Sequence, residues 1–271
     1  MTLDPSWSRP RDYAIREGRV ETHSLEVHVV DHCNLRCASC CVLSPIAPKR
    51  FLRPSELARD LDWARRVLAP SVFKLAGGEP LLSPHVVELA TLARASRIAP
   101  QISLTTNGVL AHRAPDALFE VLDAMTVSIY PDGGLDDDAL ARLRERAHRF
   151  HVTLNEKRQT HFERMTRDAP EANTAATRAV FDGCWLRHRC HTLRDGMLTT
   201  CSRVPALERL AGSLAGDRVS LAPRDGLARD LQQYLERSEP LSVCARCSGS
   251  TSALLPFRQL TRRDVRERRY E

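Results

Sequence analysis

Three cysteines, Cys33, Cys37 and Cys40, stand in the segment His32-Cys-Asn-Leu-Arg-Cys-Ala-Ser-Cys-Cys41, separated by three and then two residues. Thiolates in so compact a set suit an iron–sulfur cluster, and four of them normally close a cubane. With three, one iron is left without a protein ligand, and an open iron is a place where a small molecule can be bound and changed. Zinc usually takes two CxxC or Cys/His pairs, and no second pair lies near this loop in the sequence.

Such a loop must be held by regular elements. From Leu25 onward, strand-like apolar runs alternate with helical patterns, as in parallel strands joined by crossover helices, an α/β class. Residues 25–30 form the first predicted strand, so the cysteine loop falls at its C-terminal end, where barrel folds carry their chemistry. Leu57, Leu61, Ala64 and Leu68 share one face of a helix predicted over 55–68. A strand follows at 72–76. Ser83-Pro84 reads as a helix start, with a capping hydroxyl and a proline at the first position. Strands at 102–106, 125–130 and 152–155 follow, with a short helix at 116–122 and one built on Leu140, Leu143, Ala147 and Phe150. That makes about five β/α units before Glu156. The polar, aperiodic stretch 156–173 reads as a substrate loop or a linker.

With these motifs the chain resembles the radical S-adenosylmethionine superfamily, whose signature is CxxxCxxC after the first strand of a partial (β/α)6 barrel. Gly77-Gly78-Glu79-Pro80 follows a strand where that family places a backbone edge for the cofactor's methionyl amino group. Thr105-Thr106-Asn107-Gly108 ends the next strand, and Ser128 holds the position from which the following strand reaches the ribose or carboxylate. The resemblance covers about residues 22–160. It implies a cluster on Cys33, Cys37 and Cys40 and cofactor contacts at Gly77, Gly78, Glu79, Pro80, Thr105, Asn107 and Ser128. One departure is Ser39, where the family often has an aromatic residue near adenine; adenine must then find other apolar contacts.

A second cysteine set lies in the C-terminal half. Cys184 and Cys201 flank Asp195-Gly196, a hairpin turn that brings the two arms together, and Cys244-Ala-Arg-Cys247 follows. This resembles the Twitch form of the SPASM extension, which implies an auxiliary 4Fe–4S cluster on Cys184, Cys201, Cys244 and Cys247. Cys190 could replace Cys184, and the same four thiolates would also suit zinc. The expected organisation is an N-terminal extension over 1–24, a radical SAM partial barrel over 25–175, a Twitch domain over 176–255 and a basic tail over 256–271.

Cys41 and Cys190 remain unassigned. Cys190, on the way to the hairpin, reads either as a buried thiol or as one facing substrate. Among Twitch enzymes the chain resembles those acting on aminocyclitols and aminoglycosides, 2-deoxy-scyllo-inosamine dehydrogenase and the sugar epimerases. That likeness implies a 5′-deoxyadenosyl radical that abstracts hydrogen from a carbinol carbon, with Cys190 returning hydrogen to invert the carbon. The alternative is two-electron dehydrogenation to a ketone through the auxiliary cluster. Candidate substrate contacts are Tyr130, Asp132, Asn155, Glu156, Lys157, Arg158, His188 and His191, with Glu156 facing an ammonium group. The partners implied are a small sugar or aminocyclitol and an external reductant of flavodoxin or ferredoxin type. Ribosomal peptide modification and a zinc-binding interaction module are the other classes.

Composition narrows these. The 271 residues can bury a full core. No apolar run reaches membrane-spanning length, and the first residues lack the design of a signal peptide, so a cytoplasmic protein without a membrane partner is expected. Nine cysteines in a reducing compartment read as metal ligands or reactive thiols. The charge of +6 comes from 40 basic against 34 acidic residues, but aromatics are only 5% of the chain, so a nucleic-acid surface is not expected. The basic tail reads as a solvated helix.

Overall fold

The computed structural model describes residues 13–167, 169–212 and 216–271, so the first twelve residues of the expected N-terminal extension lie outside the described residues. The chain opens with β1 (Ile15–Arg16) and β2 (Arg19–Val30), then α1 (Pro54–Ala64), β3 (Leu68–Gly77), α2 (Val86–Ser96) and β4 (Gln101–Thr106). Next come α3 (Asp116–Val121), β5 (Ala124–Ile129), α4 (Asp137–Arg149), β6 (Thr153–Arg158) and β7 (His161–Glu163). The C-terminal half holds α5 (Thr174–Asp182), β8 (His191–Arg194), β9 (Met197–Thr199), α6 (Val204–Ala211) and β10 (Val219–Ser220). It ends with α7 (Leu227–Leu235), β11 (Leu254–Pro256) and α8 (Arg262–Arg266).

One sheet runs in the order β10-β9-β8-β2-β3-β4-β5-β6, with β1 paired to β2. β2 to β6 pair in parallel, joined by helices, as the alternating pattern predicts. The sixth parallel strand, β8, pairs with β2 on the opposite side from β6. The hairpin of the second cysteine set therefore continues the main sheet. Its turn is Asp195-Gly196, both residues left-handed at φ 52° and 72°, the backbone a two-residue hairpin requires.

The sheet has two faces because strand residues alternate. Leu25, Val27, Val29, Phe73, Leu75, Ile102, Leu104, Met125 and Val127 point outward and pack with Leu57, Leu61, Leu89, Leu118 and Leu140 of the helices. Their neighbours line the inner face, and these are polar: Glu26, His28, Lys74, Ser103, Thr105, Thr126, Ser128, Asn155 and Thr192. A second cluster joins Leu43 of the cysteine loop to Met165, Val204, Leu207, Leu241 and Val243.

The C-terminal segment departs from the expected solvated tail. Only α8 is solvent-exposed in that way, with no buried residue. On either side of it the chain docks on the cysteine loop: Ala38 N donates to Arg258 O at 3.0 Å, Leu260 N to Arg36 O at 2.6 Å, and Ser39 N to Tyr270 O at 2.6 Å. An irregular loop near the core needs partners for its backbone groups, and this segment supplies them.

Gly196 is fixed twice over, by its positive φ and by the Trp63 ring, which a Cβ would meet at 2.7 Å. Gly196→Ala is expected to cost about 1–2 kcal/mol from the backbone alone, with more from displacing Trp63. Chemical denaturation should show a lower midpoint at an unchanged slope.

Candidate active site

The cysteine loop leaves the C-terminal end of β2 through Asp31. This buried carboxylate takes a two-armed ion pair from Arg194 at 2.7 and 2.9 Å, with Arg209 at 3.4 Å. Burial pushes its pKa up, but Arg194 and Arg209 outweigh that and hold the carboxyl below its usual range. The entry to the loop is thereby pinned to β8 and α6.

The Gly77-Gly78-Glu79-Pro80 turn packs on the same loop. Gly78 N donates to Val30 O at 2.7 Å and Glu79 N to His32 O at 3.1 Å. A Cβ on Gly78 would stand 1.9 Å from His32 O, so only glycine allows this approach. Glu79 is fully buried. One carboxylate oxygen accepts from Leu81 N at 2.9 Å and the Thr106 hydroxyl at 2.7 Å, and the other from Asn107 N at 2.8 Å. Burial pushes its pKa up against these hydrogen bonds, which favour the anion. With its oxygens so engaged, what this turn offers a ligand is backbone.

Asn107 reaches back to the cysteines: its Nδ2 lies 2.7 Å from Asn34 Oδ1 and 3.5 Å from Cys33 Sγ. The charge of Cys40 reaches both Cys33 and Cys37. Burial, reinforced by Glu79 and Cys40, pushes the Cys33 thiol up to about 12, and burial with Cys40 and Cys33 raises Cys37 also. Thiols that resist ionisation alone but lie together suit a cationic cluster that would bind them as thiolates. Ser39, where an aromatic residue was absent, lies left-handed at φ 52° and is held by Tyr270 and Glu271.

The other candidates divide by face. Thr105 and Asn155 pair with Thr126 on the inner face, and Lys157 pairs with Ser128. Ser128 hydrogen-bonds the Tyr130 phenol, which burial holds far above its usual range. The Tyr130 ring stacks on Phe257 at 5.1 Å and Phe162 at 5.6 Å. Asp132 offers only its backbone carbonyl, to Gln259. Glu156 does not face the site: it pairs with Val127, hence points outward, and binds Arg144 of α4 at 2.5 and 2.7 Å. Arg158 is on the same outer face. His191 is a satisfied core histidine, between the Tyr13 hydroxyl at 3.1 Å and Ser24 O at 3.2 Å, with its pKa pushed down to about 4 by burial. His188 is buried beside Arg187, which donates to its Nε2 at 2.9 Å, and burial lowers it to about 4.

Cys184, Cys201, Cys244 and Cys247 line one cavity together with Arg203, Phe181, Leu207 and Val243. Among the described residues no three metal-ligating side chains meet as a single-ion site; these four ring a space. Arg203 is buried against them, donating to Gly249 O at 2.6 Å and Glu163 at 3.1 Å, with Cys247 Sγ at 3.5 Å. A buried cation hydrogen-bonded to a cysteine sulfur fits a site for thiolates. Cys190 lies apart from this cavity. Burial, then the carboxylate of Glu26, pushes its thiol up to about 12, and the fields of Cys41 and Cys184 also reach it. Cys41 is exposed as a residue, yet desolvation of its thiol, reinforced by Cys40, raises it to about 12 as well.

Sequence reasoning passed over Glu26, His28, Lys74, Thr192, Asp31, Arg194 and Arg203. For Glu26 and His28 the signal was present, since they interrupt Leu25, Val27 and Val29 at every second residue. The ion pairs of Asp31 and Arg203 join residues more than 150 and about 40 positions apart and leave no local pattern.

A parallel α/β sheet with a three-cysteine loop at its strand C-termini and a glycine-rich turn packed on that loop defines a metal-cluster enzyme of the partial-barrel class. The superfamily profile agrees: the radical SAM superfamily matches residues 27–166, just over half of the chain, and the chain belongs to it. Its cofactors are accordingly S-adenosylmethionine and a 4Fe–4S cluster. A stretch of 116 residues is 41% identical to GTP 3′,8-cyclase 2 of Mycobacterium tuberculosis, covering 41% of this chain and 32% of that protein. Similarly, 116 residues are 39% identical to GTP 3′,8-cyclase of Streptomyces coelicolor, covering 41% and 34%. The match thus spans about a third of these relatives' length. Among solved structures, BtrN in an open conformation is 13% identical with a TM-score of 0.49, covering 86% of this chain and 95% of that one. No helix among the described residues is long and apolar enough to cross a membrane.

Glu79→Gln replaces an acceptor-only group by one with an amide donor, so at least one of its three donors loses its partner. The expected loss is about 2 kcal/mol of stability, with less iron taken up on anaerobic reconstitution, measured by denaturation and by iron assay.

Proposed function

We propose that the chain takes a hydrogen atom from a carbinol carbon of a small aminocyclitol or aminoglycoside-type sugar and returns one from Cys190 to the opposite face, inverting the carbon. The observation that carries this reading is the Cys190 thiol, desolvated beside Glu26 of the polar inner face and reached by the charges of Cys41 and of Cys184. S-adenosylmethionine bound at the cluster of Cys33, Cys37 and Cys40 supplies a 5′-deoxyadenosyl radical able to attack an unactivated C–H bond.

The rest falls to the chain's own residues. The Gly77–Pro80 backbone, Thr105, Asn107 and Ser128 hold the cofactor, and the inner face orients the carbon near the radical. A thiol pushed up to about 12 keeps its S–H at neutral pH, as a hydrogen-atom donor must. Giving up that atom leaves a thiyl radical on Cys190, and one electron with one proton restores the thiol. An external reductant of flavodoxin or ferredoxin type would supply that electron, and Cys184, Cys201, Cys244 and Cys247 would hold an auxiliary 4Fe–4S cluster able to carry electrons to the site. The four cysteines around one cavity and the Arg203 hydrogen bond to Cys247 support that ligand set over one using Cys190.

One observation favours a second reading. The 41% identity to GTP 3′,8-cyclase over 116 residues makes a purine nucleotide the competing substrate. A third outcome, ketone formation, would follow if the substrate radical gave up one electron and its hydroxyl proton before Cys190 could react, with an auxiliary cluster held by Cys184, Cys201, Cys244 and Cys247 as the acceptor it would supply.

Anaerobically reconstituted protein with dithionite and S-adenosylmethionine in deuterated water separates these. Epimerisation predicts one solvent deuterium in an aminoglycoside precursor, and Cys190→Ala should abolish it and divert the product to ketone. Label retained in the Cys190→Ala variant would remove Cys190 as donor; turnover of GTP alone would remove the sugar substrate. Iron content tests the auxiliary site: the double variant Cys201→Ser, Cys247→Ser should hold about half the iron of the unaltered protein, as expected on losing one of two cubanes.

A further inference from the structure

Glu26, Lys74 and Thr192 form one row across three neighbouring strands. Glu26 of β2 pairs in register with Lys74 of β3 on one side and with Thr192 of β8 on the other. All three lie on the inner face, opposite the apolar residues that pack against the helices. The row continues to Ser103 of β4. Cys190, two residues before Thr192, feels Glu26 and Lys74 more strongly than it feels either cysteine set.

Glu26 is buried. Oε1 accepts from the Thr192 hydroxyl at 3.3 Å and stands 3.5 Å from His28 Nε2. Both of these contacts fall on Oε1. His28 is buried as well, and its Nε2 makes no hydrogen bond among the described residues. Burial alone would push Glu26 up, but His28 and Lys74 outweigh it and hold the carboxyl below its usual range. An anion kept ionised in a covered site costs folding energy, which a cationic ligand group would offset.

We propose that this row is the seat of a substrate ammonium group, with Glu26 Oε2 as its acceptor and Lys74 and Ser103 as partners for hydroxyls on neighbouring carbons. The ligand class is a compact polyol bearing an amine next to a hydroxyl, lying across β8, β2, β3 and β4 with its reacting carbon toward Cys190. The seat rests on the sugar reading given above. It deepens that reading by assigning the residue that recognises the amine, the role that sequence reasoning gave to Glu156.

Equilibrium binding to the anaerobically reconstituted protein tests it. The probes are 2-deoxystreptamine, which carries amines, scyllo-inositol, which has hydroxyls alone, and GTP. The unaltered protein should bind the amine about 10–100-fold more tightly than the inositol, as a charge-assisted hydrogen bond would give. Glu26→Gln should remove that preference while leaving inositol binding within about threefold. If Glu26→Gln fails to take up iron, Glu26→Asp serves, because it withdraws the charge by one methylene and should also lose the preference. An amine preference that survives in the variant overturns the seat and leaves the sugar reading standing. Binding of GTP with no affinity for either cyclitol overturns both.

Discussion

The arrangement depends on a carboxylate buried without a cation. Glu79 is fully buried with no basic partner among the described residues, so its place in the core is bearable only because Leu81, Thr106 and Asn107 each aim a donor at it. Those donors come from its own turn and from the end of β4, and the backbone N–H of Glu79 meets His32 at the start of the cysteine loop. Three segments from three strand ends are thereby fixed to one residue, two by its carboxylate and the cysteine loop by its backbone N–H. The donor pattern is demanding, because moving any one segment leaves a buried charge underbonded. That stiffness gives the Cys33 loop a defined place although the loop itself contains little regular structure.

A second constraint joins the halves of the chain. Asp31 begins the cysteine loop, while its partners Arg194 and Arg209 belong to the hairpin and the helix that follows. Arg203 does the same from the other side, linking the Cys247 loop to Glu163 of β7. These pairs are largely removed from solvent, so salt screens them weakly and breaking one would strand a buried charge. The hairpin strand β8 also completes the inner face beside β2. The hairpin that leads to Cys201 thus belongs to the same sheet as the strand that ends in the first cysteine loop, and Cys190 directly precedes β8.

The parallel β/α core was legible because its signals are local and periodic. Leu25, Val27 and Val29 alternate with polar residues, Leu57, Leu61 and Ala64 recur at helical spacing, and Asp195-Gly196 sets its own turn chemistry. Spacing alone singled out Cys33, Cys37 and Cys40 in one loop, while the second set of cysteines came from the Twitch resemblance. Pairing order was not: nothing in His191 to Arg194 says that this strand lies beside β2, since that depends on packing far away in sequence. Glu156 was misplaced by one register step, because a residue in an unpaired reading has no assigned face, and pairing with Val127 turns it toward α4. The docking of Arg258, Leu260 and Tyr270 on the cysteine loop was hidden by a basic composition typical of solvated tails. Its backbone hydrogen bonds carry no sequence signature.

A sheet that is apolar on one face and polar on the other usually turns the polar face to water. Here that face is turned inward, and much of it is covered: Thr22, Glu26, His28, Ser103, Ser128 and Thr192 are all buried. Packing does not explain them, since valine or threonine-free apolar strands would close the same space at lower desolvation cost. Internal hydrogen bonding does not explain them fully either, because the Thr22 hydroxyl and His28 Nε2 find no partner among the described residues. Polar groups retained in a covered face and left partly unsatisfied are what a ligand with several hydroxyls and a charge would complete. The thiol of Cys190 beside them stays protonated for the same reason, because a covered site carrying an anion disfavours a second one. The covered face thus carries both a carboxylate, Glu26, and an ammonium, Lys74, and the charges of both reach the Cys190 thiol.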